Sequence, residues 1–301
     1  MRKIIIIAGP TGVGKSDFAE LLAEKINGEI VNADQGQFYE PLSIGTAKPD
    51  WKNKTITHHL FDLVKETRNY NNVEYQKAAR ACIADIHARG KRAIIVGGSG
   101  FYYQMLLFEF TQLPETLPIP SRQDPVRTWD ELYKVDPVRA KAIHPHDQYR
   151  INRALEIFYS YNVLPSSFGL VYKPSFSYHF LHINRNIEEL YERINKRSVL
   201  MLAEGWLEET RSLTAEWKNF VKLKKTIGYA DILNYQDGSI DYETLVKNIQ
   251  QKTRNYAKRQ RTYFKTLLKK IPINDHWCIQ EINLTLLPVD LYLNQLNKLL
   301  N

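Results

Sequence analysis

Residues 9–16 read G-P-T-G-V-G-K-S and satisfy every position of the phosphate-binding pattern G-x-x-x-x-G-K-[ST]. Glycines in such a loop let the backbone turn tightly and point its N–H groups at phosphate oxygens. An apolar run at residues 4–8 precedes the loop, and a segment of helical periodicity at 16–26 follows it, as the motif requires. The sequence therefore predicts that the chain binds a diphosphate or a triphosphate.

Backbone, cation and hydroxyl groups of this loop are the expected phosphate contacts. The N-terminus of the following helix adds partial positive charge. Lys15 supplies a mobile ammonium group, and the Ser16 hydroxyl is a candidate ligand for Mg²⁺. We expect the phosphates to be held by the whole loop, namely Gly9, Pro10, Thr11, Gly12, Val13, Gly14, Lys15 and Ser16.

One acid, Asp34, ends the second predicted strand in the run N-A-D-Q-G-Q-F-Y. A carboxylate there faces the phosphate site and can ligate a metal or accept a proton as a general base. The alternative is an aspartate that only ends a strand or caps a helix. ATP-driven motors use a second acid that ends an apolar strand. Here the apolar run at 93–96 ends in two glycines, and the weaker H-L-F-D at 59–62 is the only other candidate, which argues against such a motor.

The segment 244–274 contains no acidic residue and nine basic ones. At 100° per residue, six of these fall on one side of a helix, opposite a face of leucine, isoleucine, tyrosine and phenylalanine. A nucleic-acid backbone is the partner this pattern favours; a merely solvated face and a membrane-surface helix are the alternatives. We call these six residues the basic stripe: Lys247, Arg254, Lys258, Arg261, Lys265 and Lys269.

A third segment, residues 144–156, reads H-P-H-D-Q-Y-R-I-N-R-A-L-E. Its two histidines, separated by a proline, do not have the spacing of a helical zinc pair. Arg150 and Arg153 lie about one helical turn apart and are candidate RNA contacts. The alternative is an ordinary helix start with Asp147 near the N-cap.

Buried strands must position these groups. Short apolar runs at 4–8, 30–33, 93–96 and 180–183 alternate with helical segments, notably 16–26 and 73–89. This alternation predicts an α/β fold with a doubly wound parallel sheet. Ligands bind at the carboxyl ends of such strands, where the phosphate loop, Asp34 and the G-G-S-G turn at 97–100 would converge.

The chain is expected to divide into a core, 1–112 with 166–301, and a helical insertion at 113–165. Four prolines between residues 113 and 125 indicate a hinge out of the core. After about residue 186 the pattern is helical almost to the end, so we expect no further strand there.

Bulk composition is that of a soluble globular protein, with 301 residues, 44% hydrophobic and 25% charged. The two cysteines, Cys82 and Cys278, suit a reducing compartment and suggest no disulfide framework or zinc site. No apolar run approaches the length of a membrane span or of a signal peptide. We therefore expect a cytoplasmic protein, acting as a monomer, whose net charge of +8 favours a polyanionic partner.

A phosphate loop, one nearby acid and a basic stripe fit group transfer from a diphosphate donor to a nucleic-acid base. The chain resembles the tRNA dimethylallyltransferases, also called tRNA isopentenyltransferases. The resemblance is carried by motifs in order along nearly the whole chain: the loop at 9–16, N-A-D-Q-G-Q-F-Y at 32–39, I-G-T-A-K-P at 44–49, H-H-L-F-D at 58–62, V-G-G-S-G-F-Y at 96–102, the histidine segment at 144–156, L-Y-E-R-I-N-K-R at 190–197, I-G-Y at 227–229 and Y-A-K-R-Q at 256–260.

The resemblance implies a P-loop kinase-like core, with a helical insertion and a helical C-terminal region, that binds dimethylallyl diphosphate with Mg²⁺. It implies transfer of the dimethylallyl group to the exocyclic amine of an adenosine beside the anticodon of tRNA. Catalytic roles fall on Asp34 as general base and on Thr11, Lys15 and Arg197, with Arg197 also binding the diphosphate. The expected contacts to the tRNA anticodon stem-loop are Asp34, Gln35, Gly36, Gln37, Ser99, Arg150, Arg153, Gly228, Tyr229, Lys258 and Arg261.

Three features depart from the family pattern. Gln35 and Gly36 follow the aspartate where the family usually has serine first, His146 replaces an asparagine, and the insertion is short. These departures bear on tRNA affinity more than on the type of reaction. Two alternatives stay open: a nucleotide or metabolite kinase that uses ATP, and a non-catalytic RNA-binding protein with a relic phosphate loop.

Overall fold

A parallel sheet of six strands carries the site. The computed structural model describes residues 3–110, 127–272 and 278–300. The strands are β1 (Ile4–Ala8), β2 (Gly28–Asn32), β3 (His58–His59), β4 (Arg92–Gly97), β5 (Phe108–Phe110), β6 (Leu170–Tyr172), β7 (Tyr178–Asn184) and β8 (Cys278–Asn283). The helices are α1 (Lys15–Ile26), α2 (Asn72–Ala88), α3 (Gly100–Leu107), α4 (Trp129–Val135), α5 (Pro137–Lys141), α6 (Gln148–Tyr161), α7 (Ile187–Met201), α8 (Leu207–Ser212), α9 (Ala215–Leu223), α10 (Tyr229–Gln236), α11 (Tyr242–Leu268) and α12 (Val289–Leu300).

The strand order is β3-β2-β4-β1-β7-β8, and every pairing in this sheet is parallel. In the centre, Ile7 lies opposite Val96 on one side and Leu181 on the other. Strands β1 and β2 are buried along their whole length because helices cover both faces of the sheet. The α/β fold class with a parallel central sheet is thus confirmed, and so are the strands expected near residues 4, 30, 93 and 180.

Four strands were not expected: β3, β5, β6 and β8. Strand β8 lies at the edge of the sheet and pairs in parallel with β7, where Leu181 is opposite Gln280 and Ile183 is opposite Ile282. The prediction of helix from residue 186 almost to the end is wrong at this point. The run C-I-Q-E-I-N does not alternate regularly between apolar and polar residues, so no strand pattern stands out in the sequence, and Glu281 is exposed.

Residues on successive positions of β7 face opposite sides of the sheet. Leu181 and Ile183 belong to the core cluster formed with α1 and α12. Phe180 packs instead against Tyr103 of α3, with ring centroids 6.0 Å apart, and Phe264 of α11 lies 6.0 Å from Tyr103. Helix α11 is therefore fixed on the sheet by its apolar side.

Helix α11 is the longest helix of the described chain, with 27 residues. It begins at the N-cap Asp241, whose side chain accepts a hydrogen bond of 2.8 Å from the Thr244 N–H. Its buried residues are Leu245, Ile249, Ala257, Gln260, Phe264 and Leu267. The inward apolar face predicted from the sequence is confirmed, with one polar exception, Gln260.

The chain divides into two compact units, one formed by 1–106 with 175–301 and the other by 107–174. The second contains the antiparallel pair β5 and β6 and a small core of Leu132, Ala140, Ile143, Ile151, Ala154 and Leu155. Trp129 closes that core by donating from Nε1 to the Ala140 and Ile143 carbonyls at 2.9 and 3.0 Å. The proline-rich segment expected to form a hinge lies outside the described residues. None of the helices described has the length and apolar character needed to cross a membrane.

Candidate active site

The phosphate loop leaves β1 and enters α1 through two glycines with left-handed backbones. Gly12 has φ 81° and Gly14 has φ 100°, a region that residues with side chains rarely adopt. A Cβ atom on Gly9 would lie 2.3 Å from the Ile183 carbonyl oxygen, so the loop needs glycine there to pass β7. Lys15 folds back over the loop, and its Nζ donates to the Pro10 carbonyl at 2.8 Å.

Three arginines that follow β7 hold three successive loop residues. Arg197 donates to Thr11 Oγ1 at 2.6 Å, Arg193 Nε donates to the Gly12 carbonyl at 3.0 Å, and Arg185 Nε donates to the Val13 carbonyl at 2.9 Å. Of these, the resemblance indicates only Arg197. Arg193 precedes Arg197 by four residues, one turn earlier on α7, and that spacing is the signal that would have found it.

A cavity of about 590 Å³ opens over the loop. Its lining includes Ser16, Asp34 and Gln37, together with five basic side chains, Lys15, Lys54, Arg193, Lys196 and Arg197. We call it the loop cavity. Burial lowers the pKa of Lys15 to about 8, with Asp34 acting to raise it and Arg197 to lower it further. Burial likewise lowers the pKa of Arg197, against the attraction of Asp34. A bound anion would relieve both costs.

Asp34 follows β2 and caps the short 3₁₀ helix Gln35–Phe38, because its Oδ1 accepts from the Gly36 N–H at 3.2 Å. The capping role considered as an alternative is therefore present, and it coexists with a carboxylate that faces Lys15 and Arg197. Burial raises the pKa of Asp34, while Lys15, the Gly36 N–H and Arg197 act to lower it. A carboxylate with a raised pKa is a stronger base than a free one.

A second cavity, of about 290 Å³, is also lined by Asp34. Thr11, Asp34 and Arg197 line both cavities. Four rings line the second one, Tyr39, Trp206, Phe220 and Tyr256, and we call it the aromatic cavity. Asp34 therefore lies where a basic cavity, which suits a polyanion, meets an aromatic cavity, which suits a flat ring.

The turn Ile44–Thr46 forms part of the aromatic cavity and is held by one carboxylate. Glu209 accepts hydrogen bonds from the N–H groups of Ser43, Ile44 and Gly45 at 2.9, 2.6 and 3.1 Å, and from the Tyr229 hydroxyl at 2.7 Å. Sequence reasoning missed Glu209, which belongs to no recognised motif.

Gly228 and Tyr229 support this turn from behind. A Cβ on Gly228 would lie 2.1 Å from the Trp206 ring, and Tyr229 is 0% exposed. The Tyr229 ring packs inside the protein and its hydroxyl donates to Glu209, and the tRNA contact expected at the turn of Gly228 and Tyr229 stays a prediction.

The residues that follow Asp34 are held in place by hydrogen bonds. Gln35 donates its N–H to Ser99 Oγ at 3.2 Å. Gln37 Nε2 donates to the Thr46 and Ala47 carbonyls at 3.3 and 3.2 Å, which leaves its Oε1 pointing away as an acceptor. Gln37 lines the loop cavity, whereas Gln35 and Gly36 line the aromatic cavity.

The rival acid, Asp62, has a structural role. It forms an ion pair with Lys48 and accepts a hydrogen bond of 3.1 Å from Trp51 Nε1. Among the described residues, no group of three or more histidine, cysteine or acidic side chains could hold a metal ion. The Ser16 hydroxyl in the loop cavity fits Mg²⁺ in its usual manner, in which substrate phosphates and water supply most of the remaining ligands.

The basic stripe runs along the outside of α11. Lys258, Lys265 and Lys269 are exposed, and neither they nor Arg261 form an ion pair with a described carboxylate. Lys247 is paired with Glu243 at 2.6 Å, and Arg254 donates to Asn195 Oδ1 at 2.5 Å. The unpaired charge is thus concentrated in the C-terminal half of the stripe. A groove of about 420 Å³ lies beside it, lined by Gln104, Lys258, Arg259, Thr262, Tyr263 and Lys270 among others.

Arg150 and Arg153 lie in the unit formed by 107–174 and are paired within their own helix. Arg150 contacts Asp147 at 2.7 Å and Arg153 contacts Glu156 at 2.7 Å. Asp147 also caps α6 by accepting from the Arg150 N–H at 3.1 Å, so the capped helix start is confirmed. His144 accepts a hydrogen bond from the His146 N–H, a local turn contact.

The chain is similar to proteins of one family. The IPP transferase family model matches residues 37–267. The chain is 41% identical to tRNA dimethylallyltransferase 1 of Citrifermentans bemidjiense, over 87% of this chain and 89% of that protein. It is 36% identical to the tRNA dimethylallyltransferase of Petrotoga mobilis, over 89% and 92%.

Two solved structures are also similar. The tRNA delta(2)-isopentenylpyrophosphate transferase of Staphylococcus epidermidis has a TM-score of 0.67 and 27% identity, covering 100% of this chain and 99% of that one. A eukaryotic dimethylallyltransferase acting on tRNA has a TM-score of 0.74 and 28% identity, covering 93% and 74%.

Proposed function

The chain belongs to the IPP transferase family, and on that premise we propose how its two cavities divide the work of the reaction. The protein is a transferase that moves a dimethylallyl group onto an adenosine of tRNA. We propose that the donor is dimethylallyl diphosphate, that it lies in the loop cavity, and that the adenine enters the aromatic cavity. The observation that carries this assignment is the position of Asp34 on the wall shared by both.

The donor breaks its C–O bond, and the electron pair leaves with the diphosphate. Negative charge on the leaving group therefore grows during the reaction, and groups that stabilise it lower the barrier. Lys15, Arg197 and the loop N–H groups surround that position. Mg²⁺ held by Ser16 and the donor phosphates would supply further charge neutralisation when bound.

The exocyclic amine of the adenine forms the new C–N bond and must lose a proton. Asp34 is placed to accept a hydrogen bond from that amine and then to take the proton. Gln37 lines the loop cavity, and its amide nitrogen is tied to two carbonyls. We propose that its oxygen accepts from the same amine where that amine reaches past Asp34 towards the donor. Because the amide nitrogen of Gln37 is already hydrogen-bonded, the atom of Gln37 that faces the adenine is the oxygen.

An adenine must leave its stack to reach a cavity of this kind, at a cost of a few kcal/mol. The rings of the aromatic cavity offset that cost by stacking, worth ~1–3 kcal/mol per base. We propose that the adenosine lies beside the anticodon and that the unpaired part of the basic stripe binds the tRNA backbone. Arg150 and Arg153 are proposed as further tRNA contacts, which would exchange their acidic partners for phosphate. We propose a cytoplasmic monomer.

The test uses unmodified tRNA, Mg²⁺ and dimethylallyl diphosphate, with mass spectrometry of the digested nucleosides as the readout. Prenylated adenosine and released diphosphate in equal amounts are expected. ATP in place of the donor should give neither γ-phosphate transfer nor modified tRNA. Phosphate transfer from ATP would favour the kinase alternative, and tRNA binding without turnover would favour the relic-loop alternative.

A further inference from the structure

A buried glutamine on α11 joins the two sides of the site. Gln260 is 5% exposed, and both ends of its amide are used. Its Oε1 accepts from the Thr11 N–H at 2.8 Å, and its Nε2 donates to the Gly98 carbonyl at 2.9 Å. These partners lie 249 and 162 residues away in sequence, so the two bonds link α11, the phosphate loop and the end of β4.

Both hydrogen-bond partners of Gln260 lie next to groups of the proposed active site. Thr11 is the loop residue whose hydroxyl accepts from Arg197 at 2.6 Å. The Asp34 carboxylate lies beside Gly98, with its Oδ2 3.6 Å from where a Cβ on Gly98 would be, and the Gly98 backbone acts to lower the pKa of Asp34. A Cβ atom on Gly98 would lie 2.3 Å from Gln260 Nε2, so the close approach depends on glycine.

We propose that Gln260 is a positioning residue: it fixes the phosphate loop through Thr11 and the orientation of Asp34 through Gly98. The inference rests on the proposed function. It assigns to α11 a second task besides carrying the basic stripe, because the same helix that faces RNA on its outer side sets the geometry of donor and base on its inner side. A buried amide whose oxygen and nitrogen both form hydrogen bonds with the backbone has little conformational freedom, so it can hold its two partners at a fixed separation.

The test compares Gln260→Met with Gln250→Met. Both glutamines lie on α11, and Gln250 donates to the Asn195 carbonyl at 3.3 Å, away from both cavities. Gln260→Met keeps the side-chain volume but loses both bonds. We expect the donor KM to rise and kcat to fall, each by about tenfold, the size of a lost hydrogen bond at a preorganised site. Gln250→Met should leave both constants within about twofold of wild type.

The pH profile separates positioning from simple packing. Without Gln260 the Gly98 backbone is no longer held beside the carboxylate, so the pKa of Asp34 should rise and the acidic limb of kcat/KM should move to higher pH. Gln260→Leu serves as a second variant, since it also loses both bonds and adds no charge beside Asp34; it should show the same limb shift.

The proposal would be overturned if the acidic limb of the kcat/KM profile stayed in place in both variants, or if the kinetic constants equalled those of Gln250→Met. A lower melting temperature with unchanged constants would have the same meaning, because it assigns Gln260 to packing alone. Failure of the proposed function is seen separately, as an inactive wild-type protein.

Discussion

The loop cavity and the aromatic cavity meet at Asp34 but are built in different ways. The phosphate-facing groups of the loop cavity come from two short segments, residues 9–16 and one turn of α7. The aromatic cavity takes its rings from positions 39, 206, 220 and 256, which only the tertiary fold brings together. Phosphate is recognised largely by backbone, which a short motif can specify, whereas a flat ring is recognised by side chains that any distant segment can supply.

The two cavities also respond to different physical forces. Charge dominates the loop cavity, where burial lowers the pKa of Lys15 and of Arg197. Ring packing dominates the aromatic cavity, where Phe220 lies edge-on to Tyr39 with centroids 5.4 Å apart, and Lys224 Nζ lies 5.3 Å from the Tyr39 ring centre. Changes of charge should therefore affect the donor, and changes of shape should affect the acceptor.

The largest effect is expected at the shared wall. Asp34→Asn keeps the shape and the capping acceptor but removes the base, so kcat should fall ~10²–10⁴-fold while tRNA and donor still bind. Single-turnover rate, tRNA affinity and melting temperature are to be measured. Asp241→Asn, which alters the N-cap of α11 in the same way, should leave the rate unchanged. A rate within a few-fold of wild type would remove Asp34 from the mechanism.

The second prediction concerns charge on the donor side alone. Lys15→Ala removes a cation whose interaction strengthens as diphosphate leaves, so kcat should fall ~10²-fold and the donor KM should rise. tRNA affinity, measured without donor, should stay near wild type. Lys25→Ala, at the exposed end of the same helix, is the control. Normal turnover in Lys15→Ala would contradict the assignment of the loop to the donor.

The contrast between the cavities also decides what sequence reasoning could reach. The loop, Asp34 and the four central strands were predictable because each depends on local pattern: an apolar run, a glycine turn, an acid after a strand. The outward face of α11 was predictable because helical periodicity is a local property too.

The other features depend on long-range packing. Gln260 is one polar residue in a basic helix, and nothing beside it in sequence says that its partners are Thr11 and Gly98. Glu209 organises a turn some 165 residues earlier in the chain. Strand β8 is fixed by its pairing with β7, which lies much earlier in the chain, while its own sequence shows no regular alternation.

The third prediction changes shape in the aromatic cavity. Phe220→Ala should raise the tRNA KM about tenfold, since base stacking on one ring is worth ~1–3 kcal/mol, and should leave the donor KM unchanged. Leu223→Ala, exposed on the same helix three residues later, is the matched control. A rise in the donor KM instead would mean that the aromatic cavity holds part of the donor.

The fourth prediction uses pH to isolate Lys15. Burial lowers its pKa to about 8 in the free protein, so the ammonium is present at pH 7 and is lost as pH rises through 8. Donor affinity should therefore weaken several-fold between pH 7 and 9, because the diphosphate is attracted only to the protonated form. Titration of donor affinity for wild type and Lys15→Arg checks this. The guanidinium stays charged over this range, so Lys15→Arg should show no such decline; an equal decline would assign the titration to another group.

The smallest effect is expected outside both cavities, on the basic stripe. Lys258 and Arg261 have no carboxylate partner among the described residues, so phosphate can bind them without breaking an ion pair. Lys258→Ala with Arg261→Ala should reduce the slope of log affinity for tRNA against log salt by about 1.4–1.8, the value for two lost phosphate contacts. Donor affinity should not change.

The matched control removes the same charge elsewhere. Lys25→Ala with Lys247→Ala also lowers the net charge by two, but Lys25 lies on α1 and Lys247 is already paired with Glu243 at 2.6 Å. If the salt slope depends only on net charge, both double variants should change it equally, and the stripe is then merely a solvated face. If the slope falls only for Lys258 and Arg261, the RNA backbone follows the C-terminal half of α11, on the side of the helix opposite Gln260.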